Sequence, residues 1–124
     1  MMKLVGIGHD IIDIERIQES ISKFGDRFFT KLFSQQEIFY CLRKVNPAMH
    51  FAGRFAAKEA IAKALGTGFG ESFKWHDIEI INDDLGKPVV FTSEDFQQNF
   101  PNYQISLSIS HTDKIASAFA IITI

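Results

Sequence analysis

The sequence predicts an α+β domain with a largely antiparallel sheet, and three observations carry that expectation. A short apolar segment bracketed by glycines opens the chain, and segments with apolar residues at helical spacing follow it. The period changes after residue 70, where short apolar runs are separated by turn residues. Near the C-terminus, Ile105-Ser106-Leu107-Ser108-Ile109-Ser110 alternates strictly, so one face is apolar and the other carries hydroxyls.

In order, residues 4–8 read as a first strand. Ile14, Ile17 and Ile21 give residues 13–24 the pattern of an amphipathic helix that stops at Gly25. Ser34-Gln35-Gln36-Glu37 has the form of a capping box and should start a helix toward Leu42, which Asn46-Pro47 breaks. Residues 49–65 form the strongest helix, stopped by Gly66-Thr67-Gly68-Phe69-Gly70. Residues 75–81 and 89–91, joined by a turn at 82–88, read as a hairpin. Ser93 caps a short helix that Pro101 ends, and a last strand covers 115–122.

A chain of 124 residues without linkers or repeats is expected to be one domain, 1–124, with a modest core. Its 13 phenylalanines imply a core or a subunit interface built on aromatic burial. A net charge of −2 gives no general reason to expect nucleic acid as a partner. Cys41 stands alone, which excludes an intrachain disulfide and fits a reducing cytoplasm. The apolar stretch at the N-terminus is too short for a signal peptide, and no run is long enough to span a bilayer. The expectation is a cytoplasmic protein with no membrane partner.

The chemistry concentrates on two carboxylates. Asp10 closes the glycine-bracketed strand, and Glu59 lies in a basic, alanine-rich helix with Arg54, Lys58 and Lys63. Two carboxylates cannot cage a metal alone, but they can hold Mg²⁺ if a substrate phosphate supplies further oxygens. The three cations suit that phosphate, so the pattern points to a diphosphate site. Each residue also has a plainer reading. Asp10 or Asp13 could simply cap the first helix, and Glu59 and Lys63 have the spacing of a surface ion pair. Arg54 and Lys58 could snorkel, and His111 could be a hydrogen-bonded structural residue. On the long helix, Gly53, Ala56, Ala57, Ala60 and Ala64 make a stripe that would let another element approach closely, while Glu59 and Lys63 fall on its edge. Arg16, Ile17, Lys23 and Arg27 mix positive charge with apolar surface, which would suit an acidic helical partner.

Three motifs, in order, resemble a known family. They are Gly6-Ile7-Gly8-His9-Asp10 with its continuation to Arg16, Phe51-Ala52-Gly53-Arg54-Phe55-Ala56-Ala57-Lys58-Glu59-Ala60, and Ser108-Ile109-Ser110-His111. Together they resemble the short class of 4′-phosphopantetheinyl transferases, the holo-(acyl-carrier-protein) synthases. The resemblance implies that family's fold and the transfer of phosphopantetheine from coenzyme A to a serine of apo-acyl carrier protein, in support of fatty acid biosynthesis. It further implies that Asp10 and Glu59 bind Mg²⁺, and that Arg54, Lys58 and Lys63 contact the phosphates. It places His111 near the nucleotide and Arg16 against the acidic carrier, while the glycines of the 66–70 loop, Gly68 among them, would let backbone come close to the cofactor. A homotrimer with sites between subunits is implied as well, and would also account for the phenylalanines and the alanine stripe. Catalysis then falls to Asp10, Glu59, Lys63 and His111, the serine proton leaving through a water oriented by Glu59 or to His111. A silent module that captures an acidic helical protein and a Mg²⁺-dependent diphosphate hydrolase are the rival readings. The first has no need of two placed carboxylates, and the second needs no carrier.

Overall fold

The computed structural model describes all 124 residues. In chain order they form β1 (Leu4–Asp13), α1 (Ile14–Phe24), α2 (Asp26–Leu32), α3 (Gln35–Leu42), α4 (Pro47–Leu65), β2 (Ile78–Asn82), β3 (Pro88–Thr92), α5 (Glu94–Asn99), β4 (Gln104–His111) and β5 (Ile115–Thr123). Strands β1, β5 and β4 make one antiparallel sheet in that order, and β2 and β3 make a separate antiparallel hairpin.

Helix α4 is the spine of the molecule, because both hydrophobic clusters include its residues. Ala56, Ala57, Ala60 and Ile61 pack with Phe73, Ile78, Phe96, Ala118 and Ala120, while Phe51 and Ala52 pack with Ile14, Ile17, Phe29 and Phe33. The small-residue stripe does what its spacing implies. A Cβ on Gly8 would run into the carbonyl oxygen of Ala60, and one on Gly6 into that of Ala64. Glycine in β1 and alanine in α4 therefore let strand and helix backbones meet directly. This locates the alanine stripe within the chain, against β1 and β5, and not at a subunit interface. The buried phenylalanines, among them Phe33, Phe51, Phe73 and Phe96, belong likewise to the core.

Several local expectations hold at the level of atoms. Ser34 Oγ accepts from Glu37 N at 3.2 Å while Glu37 Oε1 accepts from Ser34 N at 2.9 Å, closing the capping box. Gly66 ends α4 at φ 79°, in the left-handed region that its lack of a Cβ allows. Cys41 is fully buried, and burial pushes its thiol up to about 12.

Other expectations are corrected. Strand β1 runs on to Asp13, because residues 9–13 pair with β5 down to Asp13 opposite Ile115. Asp10 thus sits within a strand and caps no helix, and Asp13 holds the N-cap position without a side-chain capping bond. Pro47 does not break a helix but begins α4, where its missing N–H would have had no partner. Helix α2 escapes the periodic reading because Gly25, at φ 54°, ends α1 and restarts the chain at once. Residues 75–77 form a 3₁₀ turn and not a strand, held where Asp77 accepts from Lys74 N at 2.8 Å and from Ser93 Oγ at 2.6 Å.

Candidate active site

Strand alternation decides what faces α4. On β1, Gly6, Gly8, Asp10 and Ile12 share the inner side, and on β5 Ala116, Ala118, Ala120 and Ile122 do so. On β4 the same period carries Ile105, Leu107 and Ile109 inward and brings His111 to that face at the strand end. The two glycines draw β1 onto α4, which sets Asp10 beside the last turns of the helix.

There Lys63 Nζ donates to Asp10 Oδ1 at 2.9 Å and to the His9 carbonyl at 3.1 Å. The Glu59–Lys63 surface pair suggested by the i,i+4 spacing does not form; the lysine turns to the strand instead. Its pKa is raised, mainly by the hydrogen bond to Asp10. The half-buried side chain of Glu59 makes no hydrogen bond within the protein. Burial pushes its pKa up, and the charge of Asp10 adds to that, against a smaller opposing pull from Lys63. Two carboxylates close enough to repel, one of them without a partner, form a donor set that a hard cation would relieve. No third histidine, cysteine or carboxylate joins them. The residues present therefore fit Mg²⁺ completed by water and substrate oxygens, and do not fit a caged structural metal.

About 13 Å along the helix axis, at ~1.5 Å per residue, α4 carries a second group of functional side chains. Arg54 is 3% exposed, donates from Nη2 to Asn82 Oδ1 at 2.6 Å, and stacks its guanidinium 4.4 Å from the centre of the Tyr40 ring. Arg54 and His111 both line a cleft of about 260 Å³ between α3, α4, the β2–β3 hairpin and the end of β4. Gly68 lies in the loop after α4, five residues beyond Lys63, with φ 65° and open space where a Cβ would be.

Lys58 requires a correction. It is fully buried and faces away from this rim, its ammonium 2.9 Å from Glu37 Oε1, 2.9 Å from the Leu32 carbonyl and 3.1 Å from that of Trp75. Glu37, equally buried, also accepts from Ile80 N at 2.9 Å. The pair ties α2, α3, α4 and β2 together, and no donor is left for a phosphate. Burial lowers the Lys58 pKa, with Glu37 pulling the other way. Sequence reading saw Glu37 only as a capping residue; nothing local signals a partner 21 positions away.

The proposed partner surface is also changed in one member. Arg16, Lys23 and Arg27 are exposed on α1 and α2, but Ile17 is 2% exposed and packs into the core with Ile14. The apolar component of that surface comes instead from Phe24 and Phe28, which with Arg27, Lys31 and Trp75 line a groove of about 380 Å³. Phe24 follows Lys23, whose ammonium lies 5.4 Å from the centre of its ring.

Known proteins share this sequence and fold. A family model described as the 4′-phosphopantetheinyl transferase superfamily matches residues 6–120. The holo-(acyl-carrier-protein) synthase of Protochlamydia amoebophila is 52% identical over 94% of this chain and 96% of its own. That of Fusobacterium nucleatum is 50% identical over 96% and 98%. Among solved structures, the Helicobacter pylori synthase in complex with coenzyme A superposes with a TM-score of 0.85 at 35% identity, covering 94% of this chain and 98% of that one. The Bacillus anthracis synthase, in complex with coenzyme A (3′,5′-ADP), gives 0.84 at 36% identity over 98% and 97%. A strand-borne aspartate set against a helical glutamate, in a fold shared nearly end to end with these proteins, leaves one assignment: the chain belongs to the 4′-phosphopantetheinyl transferase superfamily.

Proposed function

We propose a division of labour among the residues along α4 for the reaction this chain carries out, transfer of 4′-phosphopantetheine from coenzyme A to a serine of apo-acyl carrier protein. In that reaction the serine oxygen bonds to the phosphorus bearing the pantetheine arm. The bond to the other phosphate breaks, and adenosine 3′,5′-bisphosphate leaves. Asp10 and Glu59 would hold Mg²⁺, which supplies Lewis-acid polarisation of the diphosphate and neutralises charge on the leaving group.

The chain's own groups do the rest. Lys63 holds Asp10 in place and carries a positive charge at the rim where the diphosphate would lie. Glu59, without a protein partner, orients a water that takes the serine proton, with His111 as the alternative acceptor. Arg54 and His111 bind the far part of coenzyme A in the cleft. Arg16, Lys23 and Arg27, with Phe24 and Phe28, receive the acidic helical carrier. The juxtaposition of Asp10, Glu59 and Lys63 carries this reading. Adenosine 3′,5′-bisphosphate is expected to appear only when apo-carrier is present; release at the same rate without it would favour a hydrolase.

The outer side of the β1-β5-β4 sheet supports self-association, which the family resemblance gives as a homotrimer. Ile7, Ile11 and Phe119 are 54, 62 and 42% exposed there, beside the serines of β4, with no element of the chain covering them. Such an apolar face fits contact with further copies. Sedimentation equilibrium is expected to give three times 14.1 kDa, and a monomer at micromolar concentration would overturn this part. No helix is long and apolar enough to cross a membrane. The free buried Cys41 supports a cytoplasmic location, and the carrier substrate supports a place in fatty acid biosynthesis.

A further inference from the structure

The cleft between α3, α4 and β4 also holds a histidine that the motifs do not include. His50 lies on the first turn of α4, one turn before Arg54, and lines the cleft with Arg54 and His111. Its ring stands edge-on to Tyr40 at 6.1 Å and to His111 at 6.2 Å. Neither imidazole is hydrogen-bonded to the protein. Arg54, nine-tenths buried, has its Nε donor without any acceptor. The ionisable groups facing His50 are Lys44 after α3, Arg54 on α4, His111 on β4 and Tyr40 on α3, and none of the residues lining the cleft is acidic.

Such a cavity offers donors and no counter-charge, so it is built for an anion. We propose that His50 is a phosphate-binding residue of this cleft, and that it gains a proton from solvent as the phosphate enters. The inference rests on the reading that coenzyme A lies along α4. In the free protein, burial and then the charges of Lys44, Arg54 and His111 hold the His50 pKa below its usual range, so the ring is neutral near pH 7. A phosphate group brings up to two negative charges into the same space. That offsets the charges of Lys44 and Arg54, favours the protonated ring, and turns it into a charge-assisted donor.

Calorimetric titration of the full chain with coenzyme A, in buffers of different ionisation enthalpy at pH 7, counts the protons taken up. Wild type is expected to show net uptake, with affinity falling as pH rises from 6 to 8. In His50→Asn the uptake should disappear and affinity drop about tenfold or more, the order of one lost hydrogen bond to a charged group. Dephospho-coenzyme A separates the two phosphate sources. Uptake abolished with it assigns the 3′-phosphate, and uptake retained assigns the diphosphate, each in keeping with the proposal. Uptake that persists in His50→Asn but vanishes in His111→Asn would overturn it, as would wild-type binding with no proton linkage, a result that needs no variant to fold. Absence of any coenzyme A binding by wild type would instead overturn the reading on which the proposal rests.

Discussion

Replacing Lys58 with methionine is expected to lower folding stability by about 3–5 kcal/mol, measured by urea denaturation, because it strands the Glu37 carboxylate without its counter-charge in the core. Set against a total stability of about 5–15 kcal/mol for a domain of this kind, that is a large share. Methionine keeps most of the stem, so the loss is chiefly electrostatic. The carboxylate retains the Ser34 and Ile80 amides but loses its only positive partner. Glu37→Gln should compensate in part when combined with Lys58→Met, since it removes the buried charge and its amide oxygen can still accept from Ile80 N, although the amide nitrogen then replaces the oxygen that accepts from Ser34 N. The double variant is therefore expected to be more stable than Lys58→Met alone. The kinetic counterpart is decisive for the role of this lysine. Assayed well below its melting temperature, Lys58→Met should keep its KM for coenzyme A. A raised KM with unchanged stability would return Lys58 to the phosphate site.

That correction shows where the sequence is readable and where it is not. Alternation placed the face of β4 correctly, and the glycines of β1 and alanines of α4 announced a close approach that the collision of a Gly8 Cβ with Ala60 explains. Both are properties of period and of side-chain size, which a linear string carries. The fate of each charge on α4 is not such a property. Arg54, Lys58, Glu59 and Lys63 have similar local surroundings in sequence, yet one meets Asn82, one meets Glu37, one remains unpartnered and one meets Asp10. Those outcomes depend on which distant segment packs over each position. Ile17 differs for the same reason: its place among exposed cations suggests surface, while its side chain turns to the core. His50 could have been noticed, since it stands four residues before Arg54 and so shares its side of the helix.

Substituting Glu59 with glutamine is expected to reduce transfer by roughly 10²–10³-fold, the scale on which several kcal/mol of transition-state charge stabilisation acts. Folding stability should hold or rise slightly. The sign follows from the direction of the Glu59 shift: burial and the neighbouring Asp10 raise its pKa in the folded state, so its ionised form destabilises the fold above the ordinary carboxylate range. Removing that charge relieves the strain while removing the function, a pairing typical of residues placed for chemistry. His111→Ala should behave differently, weakening coenzyme A binding but retaining transfer at saturating substrate, because the histidine stands in the cleft and not beside Asp10. If His111→Ala instead loses transfer with coenzyme A binding intact, the histidine is the base and Glu59 has only the cation to hold.

Transfer of phosphopantetheine to a carrier serine is expected to require a cation at the site formed by Asp10 and Glu59. Intact-mass spectrometry of an apo-acyl carrier protein, incubated with the chain, coenzyme A and Mg²⁺ with and without a chelator, tests it in one step. The expected result is a gain of one phosphopantetheine that the chelator abolishes. An unmodified carrier across several apo-carriers would contradict the transfer, and modification undiminished by the chelator would contradict the site.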